Sequence, residues 1–281
     1  MLTIIKYTFK ELLYKKIFIS TLLLALLYLG LYGGALYMVF QRGGTPPDLL
    51  IRASISSQLV GAGLYFSTFI VAFLTVLGSV SMVTYELETG ILYGILSKPI
   101  TRTEYMLGKF LGLALMLIIF SLFLIGAVLG LNLLMAGEVL YHFKLISIIK
   151  GALIYFLIPL TLLSLVFYLS TILKPLATGI VVIMNFMLGI IGGFLEQIGM
   201  VINKQELVDM GILASLFSPV DSIYRKFFSF LYDAGQSPIA ILANGPFGSG
   251  HPPSIWMIFY SVGYILLFII LALRKFNKMD L

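Results

Sequence analysis

Six long apolar runs constrain this chain more than any other feature. They fall at about 17–40, 58–83, 102–135, 148–173, 176–195 and 255–273, and each reaches the ~18 residues that read as a membrane-spanning helix. With 60% hydrophobic residues and a mean hydropathy of +1.08, the chain lies far from soluble domains, where apolar usage is about 45–50%. The expected fold is all-α, a polytopic membrane protein with six transmembrane helices that occupies 1–281 as a single domain. There is no cysteine, which excludes a disulfide framework, a thiolate metal site and a thiol nucleophile.

Between the runs, the chain carries local signals. In 1–16, Leu2, Ile5, Phe9, Leu12 and Leu13 fall on one helical stripe with Lys6 and Lys10 at its margin. That pattern predicts an interfacial helix with its apolar side in lipid and its lysines snorkelling; the alternative is a basic start to the first span. Lysines spread through this stretch, with no small-residue cleavage site close behind, argue against a cleavable signal peptide. Residues 41–57 read as a turn-rich loop. Pro159 should kink the fourth span, and Lys174-Pro175 leaves room only for a tight hairpin into the fifth. Residues 196–254 form the longest segment outside the spans. There Asn203-x-x-Glu206 can cap a helix with Leu207, Met210, Ala214 and Phe217 on one face. Ser218-Pro219-Val220-Asp221 can cap another with a stripe of Val220, Ile223, Phe227 and Leu231. The remainder, 234–253, is rich in Gly, Pro and Ser and reads as loop.

Charge assigns the sides. Six spans put both termini on one face. The pieces on that face carry Lys6, Lys10, Lys15, Lys16, Lys98, Arg102, Lys109, Lys174, Arg274, Lys275 and Lys278, which is 11 of the 18 basic residues. By the positive-inside rule, both termini are expected to be cytoplasmic in a cell membrane, with 41–57, 137–147 and 196–254 outside. Because these bases flank apolar spans and form no single patch, a nucleic-acid partner is not expected.

One polar island stands out, YELETGILYGILSKPITRTEYMLGK at 85–109. Leu87, Ile91 and Ile95 recur every fourth residue and suit a short surface helix, with Glu86 and Glu88 near its start. Ser97-Lys98-Pro99 ends that helix. Thr101-Arg102-Thr103-Glu104 then reads as a capping box that opens the third span, with Thr101 as cap and Glu104 reaching back. Glu86 and Glu88 are either solvated charges at a helix end or contacts for a partner surface; spacing leaves both open.

The order Glu86-x-Glu88-x-Gly90, then Leu96-Ser-Lys-Pro99-Ile-Thr-Arg102, then Tyr105-x-x-Gly108-Lys109 resembles the loop after the second membrane helix of ABC-2 type transporter permeases. The helices between the fifth and sixth spans are similar to the external or re-entrant helices of those proteins. The resemblance implies that 84–109 is a cytoplasmic coupling region docking on a separate ABC ATPase subunit, through Glu86, Leu87, Glu88, Gly90, Ile91, Ile95, Pro99, Arg102 and Lys109. It also implies export, a second permease copy and contact with membrane lipid.

Candidate chemistry is sparse. Gly90-Ile-Leu-Tyr-Gly94 and Gly248-Ser-Gly250 lack the Gly-Lys-Ser/Thr ending of a phosphate loop. The chain is therefore expected to be no enzyme and to hold no cofactor, ATP and magnesium belonging to the partner ATPase. His142 and His251 have no second ligand at metal spacing. Asn132 and Asn185 are the polar exceptions within the spans; such residues mostly bond a neighbouring helix, but Asn185, just before Gly189-x-x-Gly192-Gly193, is also a candidate for the translocation path. Gly30/Gly34, Gly108/Gly112, Gly126/Gly130 and Gly189/Gly193 are close-approach patterns, for packing within the subunit or for a dimer face. The function expected is a permease for a substrate of amphiphilic character; the alternative is a non-transporting scaffold recruiting a partner through 85–109. An intramembrane enzyme comes third, since no nucleophile–base pair is visible.

Overall fold

The computed structural model describes residues 1–42, 49–88, 100–136, 145–232 and 252–278. Gly90, Ile91, Ile95, Pro99, His142 and His251 lie outside the described residues, as does most of the expected surface helix. Among the described residues the chain is all-helical: α1 (Leu2–Tyr14), α2 (Lys16–Tyr37, prolonged by the π-helical turn Met38–Arg42), α3 (Leu49–Glu88), α4 (Arg102–Ala136), α5 (Leu145–Tyr155), α6 (Leu157–Ser170), α7 (Pro175–Val201), α8 (Gln205–Phe217), α9 (Val220–Leu231) and α10 (Trp256–Asn277). Six stretches are long and apolar enough to span a membrane, with α5 and α6 counting as one.

The spans end where local chemistry ends them, and not always where hydropathy does. Proline removes the N–H that would bond the carbonyl four residues back, here Tyr155, and its ring crowds that carbonyl. The fourth span accordingly breaks at Phe156, between α5 and α6, one turn before Pro159. Pro175 opens α7 at the first helical position with Lys174 as its cap, where a missing N–H costs nothing. The expected loop at 41–57 is much shorter, because α3 already begins at Leu49. Ser57 there donates to the Ser54 carbonyl at 2.8 Å, so its polar side chain is satisfied by its own turn and does not stop the helix.

α3 is the centre of the bundle: 72% of its apolar stretch is buried, against 22% in α2 and 17% in α10. Three phenols grip its backbone, Tyr28 donating to the Gly63 carbonyl (2.5 Å), Tyr32 to that of Leu59 (3.0 Å) and Tyr224 to that of Gly61 (2.7 Å). The Tyr32 ring sits where a Cβ on residue 63 would be, 2.6 Å away. Asn132 of α4 donates to the Tyr32 hydroxyl, so this polar residue joins neighbouring helices.

Both chain ends, the end of α3 and the start of α4 gather at one end of the bundle, here called proximal; Arg102 donates to the Asn277 carbonyl at 3.4 Å. The opposite end is called distal. α1 runs alongside α4. A Cβ on Gly108 would lie 2.9 Å from that of Ile4, and one on Gly112 2.8 Å from that of Thr8. The apolar stripe of α1 is therefore spent on protein: Leu12 is fully buried, while Ile5, Phe9 and Leu13 are half-buried against the core. This corrects the expectation of a lipid-facing stripe. Two glycines let α1 approach α4 closely, and only Leu2 of the stripe remains exposed, at 83%.

α8 and α9 also depart from expectation. Asn203 does not cap α8. It takes the left-handed conformation (φ 55°) just past the end of α7, with Lys204 N–H bonding the Gly199 carbonyl at 2.9 Å and Asn203 N–H that of Met200 at 3.4 Å. That is a Schellman termination. Ser218 does not cap α9 either; its hydroxyl is buried without a hydrogen-bond partner. The packed face of α8 is Val208, Gly211 and Ser215, whereas Met210 and Phe217 of the expected face are exposed. Small size decides the contact, since a Cβ on Gly192 of α7 would lie 2.4 Å from that of Ala214.

α8 folds back along α7 as far as Gly189, near the middle of that helix, where the Ser218 carbonyl would be 2.8 Å from an added Cβ. The chain then bends by 100° at Ser218-Pro219. α9 is wedged among α3, α5 and α7, with its predicted stripe buried but also Asp221, Tyr224, Arg225 and Phe228. The bent pair thus packs α8 on α7 with its outer side exposed and carries α9 into the core, so α9 is not a surface helix with a solvated side.

Candidate functional site

The proximal junction is built at the end of α3 and the start of α4. Thr101 precedes α4, and the reciprocal bonds of a capping box are present: Glu104 N–H donates to Thr101 Oγ1 (3.2 Å), while Thr101 N–H (3.1 Å) and its hydroxyl (3.0 Å) donate to Glu104 Oε2. They satisfy N–H groups that a helix start leaves without partners. One turn on, Tyr105 and Lys109 project from the same side of α4 toward α3.

There they meet Glu86. The Lys109 ammonium pairs with Glu86 Oε2, to which the Tyr105 hydroxyl also donates. The ammonium lies 5.6 Å from the Tyr105 ring centroid, a cation–π contact. Only 6% of the Lys109 side chain and 14% of the Glu86 side chain are exposed. Glu86 was expected near the start of a surface helix, where a carboxylate favours the dipole. The structure places it instead on the long helix α3, on the side facing α4, where Lys109 pairs with its carboxylate. Glu88 and Leu87 lie in the same turn, but their side chains fall outside the described residues.

The last turn of α10 completes the junction. Phe276 stacks on Tyr105 with centroids 6.3 Å apart, and Asn277 donates to Thr103 Oγ1 at 3.4 Å beside the Arg102 contact. With α1 held at Gly108 and Gly112, four helices converge on nine residues, 101–109.

The other sequence candidates scatter. Asn185 is half-buried on α7, and Tyr264 of α10 donates to the Phe217 carbonyl at 3.2 Å. Asn185 stands apart from a cavity of about 240 Å³ between α2, α3 and α7, lined by apolar side chains including Leu24, Phe69, Phe73, Leu77, Ile183 and Met187. Added Cβ atoms on Gly30, Gly34, Gly126 and Gly130 would meet nothing within 4 Å, whereas those on Gly189 and Gly193 would collide with Ser218 and Asp221.

Sequence reasoning missed a second group of charges in the distal half. Arg225 of α9 is bound by Asp221 of the same helix (2.9 Å) and by Glu196 of α7, and Tyr65 of α3 lies 3.3 Å from Asp221 Oδ1. Arg225 and Asp221 are each 2% exposed and Glu196 8%. The signal available was Asp221-x-x-x-Arg225 at i,i+4, but Glu196 stood at the start of the segment expected outside the spans, and its pairing with α9 was not visible.

Comparison with known families agrees with this architecture. The family model described as ABC-2 family transporter protein matches residues 2–281. Among curated proteins no match is found.

Proposed function

The chain belongs to the ABC-2 family of transporter proteins, and from that premise we propose that it is the permease subunit of an ATP-driven exporter whose ATP is hydrolysed, with magnesium, in a separate ATPase subunit. The observation that supports this most is the convergence of α1, α3, α4 and α10 on the Glu86–Lys109–Tyr105 cluster. A push delivered between α3 and α4 would be carried along these two long helices toward the distal end of the bundle. The segment that receives it is 85–109, with Leu87, Ile91 and Ile95 as an apolar ridge and Glu86, Glu88 and Arg102 as a charged rim, the anatomy of a small docking contact.

In this reading both termini and the junction are cytoplasmic in a cell membrane, in line with the Lys/Arg asymmetry. Two permease copies pair, and the open glycine faces of α2 (Gly30, Gly34) and α4 (Gly126, Gly130) suit such an approach. The apolar cavity between α2, α3 and α7 suits the hydrocarbon part of an amphiphilic cargo.

Co-purification tests the reading. Wild-type permease solubilised from membranes should retain an ABC ATPase, and Ile91→Asp should lose it by burying an unpaired charge at the contact. Charge reversal at Glu86 and Glu88 should weaken retention less, and in a salt-dependent way. Full retention of the ATPase by a normally inserted Ile91→Asp protein would remove 85–109 from the interface.

A further inference from the structure

The distal charges call for an explanation that fold stability does not supply. Glu196, Asp221 and Arg225 are buried where apolar side chains of similar volume would hold the helices together as well or better. Ionisable groups inside a membrane bundle are uncommon and tend to mark working parts. Their placement is specific. The Arg225–Asp221 pair lies within α9, the Arg225–Glu196 pair ties α9 to α7, and the Tyr65–Asp221 contact ties α9 to α3. The last two fasten α9 within two turns of the Ser218-Pro219 bend, and the first holds Arg225 and Asp221 in place for them.

The attachments differ in kind from the rest of the hairpin's packing. Along α8 the contact with α7 is a close apolar seam: Gly192 meets Ala214, Gly199 meets Leu207 and Val208, and Gly211 lies against the Cβ of Glu196. An apolar seam stays shut when water reaches it, because wetting it is unfavourable. An ion-paired seam is strong while dry, but its attraction falls roughly four- to twenty-fold on passing from protein interior to water. Only the second kind can be firm when closed and cheap to hold open. α3 joins this seam to the proximal junction: it is one unbroken helix from Leu49 to Glu88, and Tyr65 and Glu86 ride on it about 32 Å apart at 1.5 Å per residue.

We propose that Glu196, Asp221 and Arg225 are positioning residues for transport: with Tyr65 they form a latch that closes the α8–α9 hairpin onto α7 and α3, and that is released when the distal side opens in the cycle. This rests on the transport reading above. It adds to that reading a distal moving part and the residues that hold it.

The absence of cysteine makes the hairpin readable by a single introduced thiol. Ser218→Cys at the bend is mild, since that hydroxyl is buried and has no hydrogen-bond partner. The permease–ATPase complex is placed in liposomes of mixed phospholipids and labelled with a membrane-impermeant maleimide on both faces. With the latch intact the thiol should be protected without ATP and exposed during ATP turnover. Glu196→Gln, which loosens α9 from α7 but leaves the pair within α9, should speed labelling without ATP by about ten- to a hundredfold, the population change expected for loss of one charge-assisted hydrogen bond. Glu196→Asp should restore much of the protection, and Tyr65→Phe should act like Glu196→Gln but less. Unfolding temperature is measured on every variant. Labelling that is unchanged in folded Glu196→Gln protein, or that merely tracks global unfolding, overturns the latch. So does an ATPase-active complex whose labelling ignores ATP. Failure of any ATPase to join the permease sinks the transport reading itself, and is seen before labelling begins.

Discussion

The two ends of the bundle solve the problem of buried charge in opposite ways. At the proximal junction the Glu86 carboxylate meets the Lys109 ammonium, with the Tyr105 phenol beside them, and the Glu86 side chain keeps 14% of its surface open. At the distal site two carboxylates share one guanidinium, and the three side chains are 1–10% exposed. The Glu86 carboxylate keeps some solvent contact, so either partner of the pair can be lost with partial rehydration of the other. The distal group is unbalanced by one negative charge and rests on Arg225 alone. The same residue types thus carry different weight: a link that tolerates repeated loading at one end, and a keystone at the other.

Arg225→Met is the sharpest way to break this comparison. It leaves Asp221 and Glu196 facing each other without compensation and should cost about 3–5 kcal/mol, read as a fall in unfolding temperature or in the fraction reaching the membrane. Arg225→Lys should recover part of the loss. If Arg225→Met proves milder than Lys109→Met, the keystone account fails. Lys109→Met comes next, at about 1–2 kcal/mol, because Glu86 keeps the Tyr105 bond and some solvent. The double variant with Glu86→Gln should cost less than the sum of the singles in a double-mutant cycle, showing that the pair acts as a unit.

Thr101→Ala should have a smaller effect, about 1 kcal/mol, by loss of the cap. Its signature is faster amide exchange in the first turn of α4, with coupling of ATP hydrolysis to transport reduced more than stability. Unchanged coupling alongside faster exchange would show that the helix start is not part of the working junction. The smallest effect belongs to Gly126→Ala. Nothing lies within 4 Å of the added methyl, so the isolated subunit should change by less than ~0.5 kcal/mol. If α4 forms a face between two copies, mass measurement in detergent should nevertheless show a weakened dimer. A dimer as stable as wild type would assign that face to lipid.

Much of the fold was legible because its causes are local. Apolar runs force spanning helices, Pro159 breaks the fourth of them at Phe156, Pro175 starts the fifth, and Thr101 and Glu104 find each other three residues apart. Each depends on a backbone hydrogen bond or a side chain within a turn or two. The candidate site was legible in part for the same reason: the island at 85–109 announces itself by charge, although the continuation of α3 through Glu86 and the pairing of Glu86 with Lys109 did not.

What tertiary structure alone decided involves partners distant in the chain. In a lipid-facing bundle, hydrophobicity does not tell the packed side of a helix from the lipid side, because both are apolar. Met210 and Phe217 of α8 accordingly face outward while Gly211 packs, and the stripe of α1 meets α4 in place of lipid. Tyr65 and Asp221 are 156 residues apart, and Glu196 and Arg225 become partners only because α8 runs back along α7 as far as Gly189 and the bend at Ser218-Pro219 delivers α9 into the core. Sequence determines that six helices cross and where most of them end, since those are matters of length and local bonding. Which charges meet inside is decided by the close approach of small residues on helices far apart in the chain, and no periodicity within one helix records it.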